Sequence, residues 1–226
     1  MCADAAIERE KFKEKVRDLF STLKSIERYD ELLDASIRMP NNAGYLLCVS
    51  NLHESDDQVI SLLSKWRKEA TTFHNKFKVT HEGTRHWLKS LLLDVPDRIL
   101  FLVLDAHGYP IGHLGFANAI NDECVFELDN VVRGVNDRSP GIMSAATTSI
   151  LQWARENASP KQFYLRTLDD NIRAIRFYEK LGFKYHSKQP MRKVIFDGGF
   201  NHEPVLPDDN EPPDRYFVCM KFNAEY

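Results

Sequence analysis

Three stretches hold residues whose types and spacing could do chemistry. In "DRSPGIMSAATTSILQWA", Asp137 to Ala154, a polar turn becomes an apolar-periodic run at a single glycine, Gly141. A helix starting there presents unpaired N–H groups and about half a positive charge, and glycine lets the backbone approach an anion. Ile142, Met143, Ala146, Ile150 and Ala154 would bury one face of that helix and mount its entrance rigidly. The plain alternative is a loop that enters a helix and happens to contain one glycine. In "CVFELDNVV", Glu127 and Asp129 stand two apart on an expected strand and so share one face, where they either exchange a proton with a ligand or simply meet solvent. In "DNIRAIRFYEKLGF", Tyr178 is a phenol of ordinary pKa near 10 that could protonate a basic leaving group, whereas an isolated Phe-Tyr pair at helical spacing reads more simply as core.

Other chemistries lose support. No G-x-x-x-x-G-K-S/T is present and no G-x-G-x-x-G follows a strand, which removes the signatures of an NTPase and of a dinucleotide oxidoreductase. Cys2, Cys48, Cys124 and Cys219 are far apart with no C-x-x-C, and the eight histidines are scattered, so the thiols read as free, in a reducing compartment, and no metal site is expected. A formal charge of -3 supplies no nucleic-acid footprint. The segment "MCADAAIEREKFKEKVRDLF" is too charged for a signal peptide, and no apolar run approaches the roughly 20 residues that span a bilayer. A cytoplasmic protein is expected.

Those residues need a scaffold, and 226 residues suffice for one main globular unit. Residues 5 to 37 place Phe12, Val16, Leu19, Leu23 and Ile26 at spacings of three and four, which predicts an amphipathic helical arm; residues 1–42 are read as an N-terminal extension and 43–226 as the main domain. A buried strand is expected over Ala43–Leu52, then a helix capped by Ser55, Asp56 or Asp57 and running past Trp66, and a second helix in "EGTRHWLKSLLL". The hairpin strands Arg98–Asp105 and Pro110–Ala119 follow, joined by the turn-forming "AHGY". A strand over Cys124–Val132, the Gly141 helix, a strand over Lys161–Leu168 and a helix ending at Gly182 come next. Strands near Met191–Phe196 and over Arg215–Phe222 close the chain, separated by the loop "EPVLPDDNEPPD". That order is a mixed-sheet α/β plan.

"DRSPGIM" and "DNIRAIRFYEKLGF" together resemble the Gcn5-related N-acetyltransferase (GNAT) superfamily. Its acetyl-coenzyme A loop reads Q/R-x-x-G-x-G/A, and its next strand-helix unit reads N-x-x-A-x-x-F/Y-Y-x-x-x-G-F. Arg138 and Gly141 match the first pattern, with Met143 in place of its last small residue; Asn171, Ala174, Phe177, Tyr178, Gly182 and Phe183 match the second. The agreement of strand order runs from about Ala43 to Phe222. The resemblance implies a central, mostly antiparallel sheet with a splayed parallel pair and flanking helices, and acetyl-CoA as cosubstrate without a metal. By that resemblance the Val131 and Val132 N–H groups hold the pantetheine or steady the thioester carbonyl. Arg138, Ser139, Gly141, Ile142 and Met143 cradle the pyrophosphate, provided Met143 turns toward the core, and Asn171 and Arg173 complete the coenzyme contacts. Tyr178 protonates the departing thiolate. Glu127 is preferred as base, because the family often places a glutamate on this strand, with Asp129 as its alternative; His113 reads as a buried structural histidine or a weaker candidate.

Trp66, Arg67, His86 and Trp87 resemble the W-R-N and H-x-x-W elements of acetyltransferases acting on nucleotide-linked amino sugars and on ribosomal-protein N-termini, with Lys68 replacing the asparagine. Together with "ELDNVVRG" before "PGIM", this implies an amino-sugar acceptor, Trp66 stacking on it and Arg67 or Arg133 pairing with a phosphate. A core tryptophan and solvated arginines are the competing reading. Asp197 and His202 are further candidate acceptor contacts. The rival functions are a protein N-terminal acetyltransferase and a non-catalytic acyl-CoA sensor or scaffold. The expected partner is a small-molecule amine, with no nucleic acid and no membrane, and a homodimer is left open.

Overall fold

The computed structural model describes residues 2–70, 76–206 and 212–223. The expected single arm is two helices, α1 (Cys2–Lys24) and α2 (Tyr29–Asp34). The break follows Ser25, whose hydroxyl donates to the Thr22 carbonyl at 3.0 Å and competes with helix continuation. Strand β1 (Ile37–Arg38) and a tight turn through Asn41 and Asn42, both at positive φ, then lead into β2 (Gly44–Cys48). Helix α3 (Asp57–Glu69) is capped by Asp56, which accepts from the Gln58 and Val59 N–H groups at 2.9 and 3.1 Å. After β3 (Lys76–Phe77), helix α4 (His81–Leu88) is capped by Thr80 and runs on into a π turn closed by Asp94 N–H on the Lys89 carbonyl at 2.9 Å.

The central hairpin is β4 (Ile99–Asp105) and β5 (Pro110–Ala117); Asp105 accepts from the His107 and Tyr109 N–H groups and shapes the turn. There follow β6 (Val125–Arg133), α5 (Ile142–Asn157), β7 (Gln162–Leu168) and α6 (Ile172–Lys180). The strand expected near Met191–Phe196 is only the end of β8 (Phe183–Phe196), which turns through Asp197 and Gly198 into β9 (Gly199–Pro204) before β10 (Arg215–Phe222). Asp-Gly between extended segments is a hairpin signal, and Gly198 takes the positive φ of 87° that such a turn requires. Part of the "EPVLPDDNEPPD" loop, residues 207–211, lies outside the described residues.

The ten described strands form one mixed sheet in the order β1-β2-β4-β5-β6-β7-β10-β8-β9-β3, antiparallel except for β6 and β7. That exception positions the site. β6 and β7 pair only through Val125, Phe126 and Glu127, and beyond Glu127 they no longer pair. The bend has a local cause in Asn130, at φ 53°, where β6 carries one residue more than β5 between the pairs His113–Val132 and Gly115–Asp129. Such a bulge bends its strand and increases its twist. Beneath the sheet, Phe126 packs against Phe12, Phe20, Phe116 and Phe163. Val16, Phe20 and Leu32 of the N-terminal helices are fully buried in the same core as the sheet. Among the described residues no helix is long and apolar enough to cross a membrane.

Candidate functional site

The separation of β6 from β7 opens a cleft of about 740 Å³, walled by the two strands, the start of α6, the end of α3 and α4. Glu127, Asp129, Val131, Asn171 and Tyr178 all border it, so the residues singled out on two distant stretches meet in one place. Arg67, His86 and Trp87 border it from the helical side, and His202 from β9.

The two carboxylates differ in partners. Glu127 is buried and saturated with donors: Arg166 binds it through Nε at 2.7 Å and through a second nitrogen at 3.0 Å, Tyr164 donates at 3.2 Å, and the Asn118 amide donates as well. Asp129 accepts from the Asn130 side chain at 2.8 Å and stands 4.0 Å from Arg98, with about a third of its side chain open to the cleft. Burial first, and then the charge of Glu127, raise its pKa above the usual carboxylate range. Tyr178 is 8% exposed, and burial followed by the charge of Asp129 pushes its phenol above the ordinary value, so it stays protonated at neutral pH. Asn171 caps α6 with its side-chain oxygen, which accepts from Ala174 N–H at 3.2 Å; its amide N–H groups are not used in the cap.

The Gly141 loop lies apart from these residues, on a second hollow of about 390 Å³ lined by Ser139, Gly141, Ile142 and Asp105. Gly141 is the cap of α5 at φ 80°, and a Cβ there would meet nothing within 4 Å, so glycine answers a backbone requirement and leaves the approach open. The N–H groups of Gly141 and Met143 have no backbone acceptor within the described chain, as at the first turn of any helix, and they are left to meet a ligand or solvent. Met143 is 6% exposed and faces the core, so the residue that departs from the small-residue pattern does not fill the hollow. Arg138 lays its guanidinium over the Tyr109 ring at 4.5 Å. Arg173 is exposed on the first turn of α6 and lines neither hollow, and Val132 pairs with His113 away from the cleft lining.

Three expected acceptor contacts need correction. Trp66 is 1% exposed and packs so tightly on Gly134 that a Cβ there would fall 1.9 Å from the indole nitrogen; it is core and cannot stack on a ligand. Arg133 donates to the carbonyls of Val135, Arg138 and Ser139, bracing the loop from behind instead of meeting an acceptor. Asp197 occupies the tip of the β8–β9 hairpin, outside the cleft lining. Arg67 lies over the Trp87 ring at 4.4 Å and bonds Thr84, while burial lowers its pKa to about 10. Arg98, Asn130 and Arg166 border the cleft and were not singled out from the sequence. The asparagine within the strand "FELDNVV" is the one signal available, since asparagine tolerates the left-handed backbone of a bulge. Arg166 becomes visible only once the register of the parallel pair is known. Among the described residues no group of His, Cys, Asp and Glu side chains is arranged to hold a metal ion.

Residues 47–184 match the family model described as an acetyltransferase (GNAT) domain. No curated protein matches. Similar solved structures include a probable acetyltransferase (GNAT family) from Chromobacterium violaceum, at 17% identity and TM-score 0.59 over 83% of this chain and 85% of that one. A GCN5-related N-acetyltransferase from Brucella melitensis is 15% identical, with TM-score 0.58 over 81% of this chain and 76% of its own. A spermidine/spermine N-acetyltransferase from Vibrio cholerae is 11% identical, with TM-score 0.55 over 80% and 93%.

Proposed function

The chain belongs to the GNAT acetyltransferase family, and from that premise we propose that it moves an acetyl group from acetyl-CoA to a primary amine bound beside Asp129 and Tyr178. The observation that carries this is the meeting of Asp129, Tyr178 and the open edge of β6 at Val131 in one cleft, with a donor-lined helix entrance at Gly141. Acetyl-CoA supplies an acyl group on a thiol leaving group. The chain supplies the rest. The unpaired N–H groups at Gly141 and Met143 suit the pyrophosphate, and the Asn171 amide suits the pantetheine. The Val131 N–H meets the carbonyl oxygen as negative charge gathers on it.

Asp129 takes the proton from the attacking amine, and Tyr178 gives its proton to the sulfur as the C–S bond breaks, so each proton has one source and one destination. Asp129 suits the base better than Glu127 does. Its pKa lies above the usual carboxylate range, which suits accepting a proton, whereas the Glu127 oxygens are already engaged by Arg166, Tyr164 and Asn118.

For the acceptor we favour an amino sugar, in particular one linked to a nucleotide. The described cleft lining includes four permanent cations, Arg67, Lys78, Arg98 and Arg166, against the two carboxylates Glu127 and Asp129. That balance suits a phosphate-bearing amine and repels a polycation such as the spermidine handled by the Vibrio cholerae neighbour. The Trp87 ring, held under Arg67, offers the flat face for a sugar. Free thiols at Cys48, Cys124 and Cys219 fit a reducing, cytoplasmic setting. The test is incubation with acetyl-CoA and, separately, nucleotide-linked amino sugars, free amino sugars, polyamines and N-terminal peptides, read by mass increase. Acetylation confined to peptides would move the assignment to a protein N-terminal acetyltransferase. No acetylation of any amine, with acetyl-CoA bound, would point to an acyl-CoA sensor.

A further inference from the structure

His113, near the middle of β5, is fully buried, yet it is held by a single specific bond. Its Nδ1 lies 2.7 Å from the Asn130 carbonyl oxygen, and its Nε2 has no hydrogen-bond partner among the described residues. A carbonyl only accepts, so Nδ1 carries the proton and Nε2 is a bare acceptor. The ring also packs against the Trp66 indole, with centroids 5.9 Å apart. Leaving a nitrogen unpaired in the core is unfavourable, and an apolar side chain would fill the same space without that cost. What histidine adds there is the bond to Asn130.

That bond falls on the most unusual peptide of β6. Asn130 is the left-handed residue of the bulge, so its carbonyl leaves the regular ladder. A trans peptide points its carbonyl and its N–H in opposite directions. With the Asn130 carbonyl turned to His113, the N–H of Val131 therefore points away from His113, and Val131 borders the cleft on the stretch of β6 that β7 has left.

We propose that His113 is a positioning residue for acetyl transfer: its Nδ1–H holds the Asn130 carbonyl and thereby fixes the bulge peptide with the Val131 N–H presented to the thioester carbonyl oxygen. The proposal rests on the acetyl-CoA reading above. It separates His113, which touches neither coenzyme nor acceptor, from the groups that do, and it assigns the residue an effect on the thioester carbonyl alone.

The test is isotope-edited infrared spectroscopy of carbonyl-labelled acetyl-CoA bound to the full chain, with calorimetry of coenzyme A, which lacks that carbonyl. In the wild type the bound carbonyl band is expected at lower frequency than in solution. In His113→Leu the band should return toward its solution position while coenzyme A affinity changes less than about twofold. His113→Asn, whose amide can take the place of Nδ1–H, should keep the shifted band, and His113→Gln, whose donor is one carbon further out, should lose it. The Asn and Gln pair decides the matter if the leucine variant does not fold. An unshifted band in a wild type that binds acetyl-CoA, or equal bands in the Asn and Gln variants, overturns the proposal and leaves the acetyltransferase reading standing. A wild type that binds neither acetyl-CoA nor coenzyme A overturns both.

Discussion

Glu127 and Asp129 are two residues apart on one strand, and the number of donors around each separates the tasks proposed for them. Asp129→Asn is expected to lower kcat about a hundredfold or more and leave acetyl-CoA affinity nearly unchanged, because only the proton acceptor is lost. Glu127→Gln should instead lower stability by about 2 to 3 kcal/mol in urea unfolding, since Arg166 loses its charged partner. Full stability with abolished turnover in Glu127→Gln would reverse the two roles. Tyr178→Phe should match the Asp129 variant in kcat, with coenzyme affinity kept. His113 adds a pH dependence. Burial, and then the charge of Arg67, outweigh the Asn130 bond and bring its pKa down to about 4, below the 6.5 of an unfolded histidine. The unfolded chain therefore binds the proton first, and the stability present above pH 6.5 is lost as pH falls toward 4, by about 1.4 kcal/mol per unit. Urea midpoints taken at neutral pH and near pH 5 should show this component in the wild type, and His113→Asn should lack it. Arg166, Asn118, Tyr164 and Asn130 were not legible as candidates from residue type and spacing, whereas Glu127, Asp129, Tyr178 and His113 were. Their ranking was not, because it depends on partners brought from β5 and β7.

The elements themselves were legible wherever local chemistry decides them. Asp56 ahead of "DQVISLL" fixes the start of α3, and the apolar period of "IMSAATTSILQWA" fixes α5. The β8–β9 turn is harder to read although it contains Asp-Gly, because "GGF" and the following polar run disguise the second strand as loop. The separation of β6 from β7 was reachable only through family resemblance, since it follows from a register and a bulge that no local pattern encodes. A test at this scale compares two glycines. Gly141 and Gly198 have φ of 80° and 87°, and both have open space where a Cβ would stand. Alanine at either position should therefore cost only backbone strain, about 1 kcal/mol, seen as a fall of a few degrees in Tm. Gly141→Ala should also raise the KM for acetyl-CoA severalfold, and Gly198→Ala, at a hairpin tip, should not. Equal KM values in the two variants would remove the Gly141 loop from the coenzyme site.

At the scale of the molecule, the amphipathic period of the N-terminal segment announced a packed helix, but not what it packs on. α1 lies against the strand that carries the site: the Phe12 and Phe20 rings meet Phe126 at 6.0 and 5.9 Å, one residue before Glu127. At its end, the buried Lys24 ammonium donates to the Leu92 and Val95 carbonyls at 2.8 and 2.7 Å, closing the π turn that continues α4. α4 carries His86 and Trp87 into the cleft lining, on the side proposed for the acceptor. Two separable effects are expected. Phe20→Ala should lower stability by about 3 to 5 kcal/mol through the cavity it leaves, and a chain beginning at Ala43 should show no cooperative unfolding. Lys24→Met keeps the packing volume but leaves buried carbonyls without a donor, so it should loosen α4 in particular. Hydrogen exchange should quicken over residues 81–94, and the acceptor KM should rise, with acetyl-CoA affinity unchanged. A stable, fully active chain without the first 42 residues would show that the two helices only cover the core; a Lys24 variant that altered coenzyme affinity alone would show that the clamp acts on the wrong side of the cleft.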